Sequence, residues 1–380
     1  MSRIALFSLV FAAVALAQDT RPQFPKVPLA DQIYPTPDGL PYQLYNASDP
    51  FIRGPQSGFN QCNSTTETQD SKCQTAIVND ITDFCLWGGI EPNQVVANIE
   101  GEMVAWCTKK GHGTRVMPAD TIKAVQVLNA PGYVMITGVI DQSLLDLDPT
   151  DPGGEEDFGG QDLAGNPIGA LVYSTHFSDN NNLAQIRRWT EFIGSGQFCM
   201  KICKGADSRA DELCRHTLDR IGLAYNCPSK FTIGAGSPNG TFEVCDSADM
   251  TPPGVYTGAD GVTSTYTQGP EGAPLNVPYT ATAASSSNCQ TFTSSAIYTD
   301  APANTAAAGS GSAAASGASA TAAASGSGSR AGSAGSSASR TGSSAGAGAT
   351  GASQHSAAGT LHVSALAAVV GTFVATLMFA

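Results

Sequence analysis

The run Lys109-Lys-Gly-His112-Gly-Thr-Arg115 gathers two lysines, an imidazole and a guanidinium around two glycines. Cations in this pattern can hold a carboxylate or a phosphorylated glycan, and an imidazole titrates where a general base must. The plainer reading is a glycine turn in which His112 and Arg115 bond backbone carbonyls or acidic side chains. A lone histidine with no assigned carboxylate or nucleophile does not make a catalytic set. Lys109, Lys110, His112 and Arg115 are therefore candidate binding residues, and no catalytic residue is assigned.

A second concentration of chemistry lies in a glycine-rich stretch holding Asp146, Asp148, Asp151, Glu155, Glu156, Asp157 and Asp162. Oxygen ligands on such a loop suit calcium, but the spacing departs from the EF-hand pattern. A solvated acidic loop is the expectation. Glu155 and Glu156 would serve as glycosidase carboxylates only if held roughly 5–10 Å apart across a cleft, which adjacent loop residues seldom achieve. Cys199, Cys203 and Cys214 lack the C-x-x-C spacing of a metal site. Neither a Gly-x-Ser-x-Gly elbow nor a phosphate-binding glycine loop is present. No metal and no cofactor are expected.

The elements that must position these residues read as follows. Cys73, Ile77, Ile81, Phe84 and Cys85 recur on one helical face, which predicts a helix over residues 71–87. Residues 103–107, 124–128, 133–140 and 170–174 read as strands, the middle two joined by Asn129-Ala-Pro-Gly132. Leu183, Ile186, Trp189 and Ile193 predict a second helix. Ala210, Leu213, Cys214, Thr217, Leu218 and Ile221 predict a third, capped by Asp207 or Ser208 and stopped at Gly222. Short β-like pieces follow at residues 241–244 and 263–267. The expected fold is α+β: a β-rich, disulfide-stabilised head with a few packed helices, followed by a disordered Ser/Thr/Ala/Gly stalk.

Composition sets the surroundings of that head. Residues 1–17 have the form of a secretory signal peptide, with Arg3, an apolar run and the cleavage site Ala15-Leu-Ala17. Residues 18–58 are proline-rich and form an extended arm, because proline has no backbone donor to give a sheet interior. Residues 59–280 are the head. Residues 281–353 are a low-complexity stalk whose hydroxyls suit O-glycosylation. Residues 354–380 form a GPI-attachment propeptide: Gly351-Ala-Ser353 offers the small attachment residues, with Ser356 an alternative to Gly351 and Ser353, then a polar spacer and an apolar tail. Asn46, Asn63 and Asn239 each begin an N-glycosylation sequon. The ten cysteines are Cys62, Cys73, Cys85, Cys107, Cys199, Cys203, Cys214, Cys227, Cys245 and Cys289. In a secreted chain they predict five disulfides, with connectivity left open. The net charge of −13 and the lack of a polybasic patch argue against nucleic acid or an anionic membrane surface as partner.

Several segments resemble the fungal macrophage activating glycoprotein family. They are Phe84-Cys-Leu-Trp87, Val104-Ala-Trp-Cys-Thr-Lys-Lys-Gly-His-Gly-Thr-Arg115, Asp162-Leu-Ala-Gly-Asn-Pro-Ile-Gly169, Leu171-Val-Tyr-Ser174 and Gly240-Thr-Phe-Glu-Val-Cys245. One departure is Gly222-Leu-Ala-Tyr-Asn226 followed by Cys227, where the family tends to carry Gly-Cys-x-aromatic-Asn. The resemblance implies a basidiomycete-type, GPI-anchored surface glycoprotein that is immunostimulatory, and it transfers no catalytic residues. The expected function is a non-enzymatic fungal cell-surface or cell-wall glycoprotein, extracellular and held at the plasma membrane through a GPI lipid. The alternatives are a module that binds cell-wall glycans and a glycan-active wall-remodelling enzyme.

Overall fold

The computed structural model describes residues 24–48, 53–205, 207–233 and 240–302. The signal peptide, Asn239, Gly351, Ser353, the GPI segment and the stalk past residue 302 lie outside the described residues.

Two mixed sheets pack face to face. The first comprises β1 (Thr75–Asp80), β2 (Asp83–Gly88), β3 (Val104–Cys107), β4 (Arg115–Val116), β8 (Leu171–Ser174) and β9 (Ala184–Ile186), in the order β4-β3-β2-β1-β8-β9. The second comprises β5 (Ile122–Asn129), β6 (Tyr133–Ile140), β7 (Gly154–Asp157), β10 (Trp189–Gly194), β11 (Gln197–Cys203), β12 (Phe242–Ser247) and β15 (Ser286–Thr291). Its order is β15-β12-β5-β6-β11-β10-β7, so β7 is an edge strand. A separate ribbon pairs β13 (Val255–Thr257) with β14 (Thr263–Thr265). The main core lies between the two large sheets. There Phe84 stacks on Phe198 at 6.2 Å and Trp87 meets Trp189 at 5.8 Å. A second cluster covers the other face of the seven-stranded sheet, where Leu213, Cys214, Cys227 and Met250 pack on Tyr133, Met135 and Phe192.

All ten cysteines pair, as Cys62–Cys73, Cys85–Cys107, Cys199–Cys227, Cys203–Cys214 and Cys245–Cys289. The β-rich, disulfide-bonded character follows the sequence, whereas the helices of the expected α+β class shrink to single turns. They are α1 (Val96–Ile99), α2 (Ala210–Leu213), α3 (Leu223–Asn226) and α4 (Ser294–Ile297). The predicted helix over residues 71–87 is the β1–β2 hairpin, in which Val78 pairs with Phe84. These strands are buried on both faces. Apolar residues then fill nearly every position, and a 3.6-residue spacing can be drawn through them without a helix. The segment around Leu183–Ile193 forms β9 and β10, of which β10 is likewise buried throughout and β9 is half-buried at the sheet edge.

The arm crosses the body in extended form. Leu29 N–H bonds the Leu163 carbonyl at 2.8 Å, Tyr34 N–H bonds Gln185 Oε1 at 2.7 Å, and Leu29, Leu40 and Tyr45 are buried. The stalk boundary after residue 280 is placed too early. β15 pairs with β12, Cys289 is bonded to Cys245, Ile297 is fully buried, and the Tyr298 hydroxyl bonds both backbone groups of Ile122. β15 is an exposed edge strand of small polar residues, so its composition matches that of the stalk.

One contact joins the sheets through polar atoms. Trp87 N–H on β2 donates to both carboxyl oxygens of Glu191 on β10, at 3.0 and 3.1 Å, and Glu191 is 0% exposed. Glu191→Ala leaves that N–H unsatisfied beside a new void and should cost roughly 2–4 kcal/mol in a denaturant titration. Glu191→Gln keeps an acceptor and should cost about 1 kcal/mol or less. Equal losses in the two variants would show that the acceptor is irrelevant.

Burial holds Glu155, Glu156 and Glu191 well above the ordinary glutamate range. Each folded-state value exceeds its unfolded value, so the folded protein binds more protons between the two. The stabilisation is complete below the unfolded value and is lost as pH rises through the folded one. Each tenfold gain in proton affinity on folding is worth about 1.4 kcal/mol. Thermal stability should therefore fall as pH rises from the ordinary glutamate range into the raised range of these groups, and Glu191→Gln should flatten the profile. A profile that rises with pH above the ordinary glutamate range would contradict the assignment.

Candidate functional site

The motif at residues 109–115 is a clamp. Arg115 is 3% exposed; its Nε donates to the Ser71 carbonyl at 3.0 Å, its Nη1 to Asp146 Oδ2 at 2.8 Å and its Nη2 to the Ile90 carbonyl at 2.8 Å. The guanidinium also lies 5.0 Å over the Trp106 ring. Arg115 is therefore committed to the fold. His112 Nε2 sits 2.6 Å from Asp83 Oδ1. Burial alone would raise the Asp83 carboxyl, but the His112 hydrogen bond and charge hold it below the ordinary value. Gly113 has φ +72°, and a Cβ there would come within 2.1 Å of the Asn63 backbone nitrogen. Lys109 and Lys110 are exposed, and Lys110 N–H donates to Asp300 Oδ2 at 3.0 Å. The four candidates share a segment, but Arg115 points inward while the lysines face solvent. Asn46 and Asn63 are both exposed; Asn46 Oδ1 accepts from Ser48 N–H at 2.8 Å and Asn63 Oδ1 from Thr65 N–H at 2.9 Å.

A cavity of about 500 Å³ opens elsewhere, where β7 and β10 meet the segment carrying His216, Asp219 and Leu223. Strand alternation builds it. Along β7, Glu155 and Asp157 point to the cavity face, while Glu156 points to the core opposite Glu191. A glycosidase pair made of Glu155 and Glu156 is thereby ruled out. The expected solvated loop is equally wrong for these three acids, which are all buried on a strand. The other loop acids hold protein donors rather than an open calcium shell. Asp146 takes Arg115, Asp148 the Thr150 N–H, Asp151 the Val96 N–H, and Asp162 the Arg53 guanidinium.

Glu100, Glu155, Asp157 and Asp219 all line the cavity. Asp157 Oδ1 accepts from Gly159 and Gly160 N–H and lies 3.7 Å from His216 Nδ1. Burial raises Asp157 nonetheless, against the pull of His216 and the two amides. Burial raises Glu155 much further, and the neighbouring Asp157 and Asp219 charges add to it. Asp219 and Glu100 are also raised, chiefly by burial. Glu155 is thus the cavity carboxyl held protonated furthest up the pH scale. Its Oε1 is buried with no protein donor directed at it. Phe192, Ile193 and Leu223 supply apolar wall, and Asn166, Gln161 and Thr217 supply neutral polar groups. Deeper on the same sheet face, burial pushes Lys201 down to about 7, and its Nζ donates to the Asn226 carbonyl at 2.7 Å. Sequence reasoning missed Glu100, His216 and Asp219. Glu100 is far in the chain from His216 and Asp219, and only the alternation of residues 155 and 157 hinted at a shared face.

No family model and no solved structure matches the chain. Two curated relatives from Mycosarcoma maydis do. Appressorium protein ROW1 is 39% identical over 236 residues, which is 62% of this chain and 51% of that one. Appressorium protein ROW2 is 33% identical over 246 residues, which is 64% of this chain and 79% of that one. The match to this chain thus spans about half of ROW1 and most of ROW2. Both are named as fungal appressorium proteins. On the ROW2 match, the chain belongs to the family of fungal appressorium proteins that includes ROW1 and ROW2.

Proposed function

We propose that the protein is a GPI-anchored fungal surface glycoprotein whose head holds a cell-wall glycan in the acidic cavity. The observation that carries the ligand is Glu155 Oε1, buried without a donor at the wall of a cavity of about 500 Å³. An unsatisfied buried polar atom costs roughly 1–3 kcal/mol, and a ligand hydroxyl directed at it removes that cost. A protonated carboxyl beside carboxylates both gives and accepts hydrogen bonds, as a sugar ring requires. Phe192 and Leu223 offer surface for the apolar face of the ring.

The signal peptide, the sequons, the Ser/Thr/Ala/Gly run and the apolar tail support the surface location. The relatives' description as appressorium proteins supports a role at an infection structure. The motif resemblance to macrophage activating glycoproteins supports display to an immune system, with immunostimulation as a consequence of that display. The reading is non-enzymatic: the cavity retains a glycan and does not cleave it.

Phosphatidylinositol-specific phospholipase C should move the protein from membrane to supernatant. A resistant form that keeps residue Ala380 contradicts the anchor. The released glycoprotein should be retained on cell-wall glycan, and Glu155→Gln should reduce retention by about tenfold, or 1.4 kcal/mol. Retention no greater than that of an unrelated glycoprotein would sink the ligand assignment.

A further inference from the structure

The cavity gathers more carboxyl groups than the cations around it can pair. Four carboxyl groups line it, from Glu100, Glu155, Asp157 and Asp219. The neighbouring cations make their hydrogen bonds elsewhere, and only through charge do Arg53 and Lys201 reach Glu100 and Glu155. Arg53 donates to Asp162 through Nε and Nη2, to Asn166 Oδ1 and to the Gly165 carbonyl. Arg220 spends its guanidinium on the carbonyls of Gly269, Pro270 and Ala273. Lys201 is bonded to the Asn226 carbonyl and does not line the cavity. His216 faces Asp157 at 3.7 Å and is the one imidazole among the lining residues. Carboxyl groups crowded in this way either stay protonated or take a cation from solution.

The shape of the site selects among cations. A divalent metal needs its oxygen ligands gathered in one coordination shell. Among the described residues, ligand atoms come that close only at Glu243, Cys245 and Cys289, and both of those cysteines are in a disulfide. Spread carboxyls suit an ammonium instead, whose three N–H donors point in separate directions. The volume far exceeds that of a bare ammonium. The remaining wall supplies neutral polar groups, Asn166, Gln161 and Thr217, beside apolar Phe192 and Leu223. That combination fits a hydroxylated ring bearing an amine.

We infer that the cavity selects a hydroxylated primary amine, the chemistry of an unacetylated amino-sugar residue, with the ammonium seated among Glu155 Oε1, Asp157 and Asp219. This rests on the glycan-binding reading and sharpens it from any wall glycan to a deacetylated one. Acetylation would remove both the charge and two donors, and would leave the carboxyls protonated. Binding of the amine draws a carboxyl proton out of the cavity, so protons leave the protein as the ligand enters. Affinity should then rise as pH increases from the ordinary carboxylate range into the raised range of these groups.

The test is calorimetric titration of the full glycoprotein, released from its anchor, with four probes: a glucosamine tetramer, an N-acetylglucosamine tetramer, a glucose tetramer and spermine. The glucosamine tetramer should bind at least tenfold more tightly than either neutral tetramer, with a heat that varies with the buffer's ionisation. Asp219→Asn, at the most exposed of the four carboxyls, should reduce the preference toward parity while leaving the melting temperature close to wild type. Glu155→Gln should do the same if the variant folds. Equal or tighter binding of a neutral tetramer overturns the amine and leaves the glycan reading standing. Tighter binding of spermine overturns the sugar. Binding of none of the four overturns both readings together.

Discussion

The Trp87 backbone N–H of one sheet meets both carboxyl oxygens of Glu191 on the other, deep in the core between them. A charge at that depth would cost several kcal/mol to desolvate, so Glu191 is held neutral. Glu156 lies opposite it on the neighbouring strand, with neither oxygen given a donor. Two buried acids thus face each other across β7 and β10, and burial favours the neutral form of both. The same edge strand turns its alternate side chains, Glu155 and Asp157, toward the cavity. Its pleat separates the two roles: one carboxyl enters the core, and two face a space large enough for a ligand.

The disulfides decide what stands over that strand. Cys199–Cys227 and Cys203–Cys214 both leave β11 and tie down the segment between them, which carries His216, Asp219 and Leu223. That segment contains only single-turn helices and cannot bury a core by itself. The two loops they close span sequence separations of 28 and 11 residues. Closing loops of this size is worth roughly 3 kcal/mol each in the chain-entropy view. The site is therefore linked to an oxidising compartment, in keeping with the proposed surface location.

The strands around residues 104–107, 122–129, 133–140 and 171–174 were legible because clear turn residues bound them, Asn129-Ala-Pro-Gly132 above all. The hairpin at residues 75–88 was not, because burial on both faces erases the alternation that marks a strand. The acids at residues 155–157 looked solvated because acids usually are; their burial depends on β10 alongside and on the cap above. The motif around His112 and Arg115 was conspicuous for a sound physical reason. Its inward-facing His112 and Arg115 are held by Asp83, Asp146 and backbone carbonyls and brace the strands, while Lys109 and Lys110 face solvent. Rare residue types in a tight pattern mark constraint, and here the constraint belongs to the fold.

The central claim is that Glu155 is a protonated carboxyl at the wall of a ligand-sized cavity, while Glu156 and Glu191 are protonated carboxyls inside the core. Carbon-13 NMR of side-chain carboxyls, titrated across pH and then with a glucosamine oligomer, tests this directly. All three glutamates should titrate above the ordinary glutamate range. The oligomer should shift the resonance of Glu155, together with those of Asp157 and Asp219, and leave Glu156 and Glu191 where they were. A Glu155 that titrates normally, or an oligomer that moves none of the cavity carboxyls, would contradict the account.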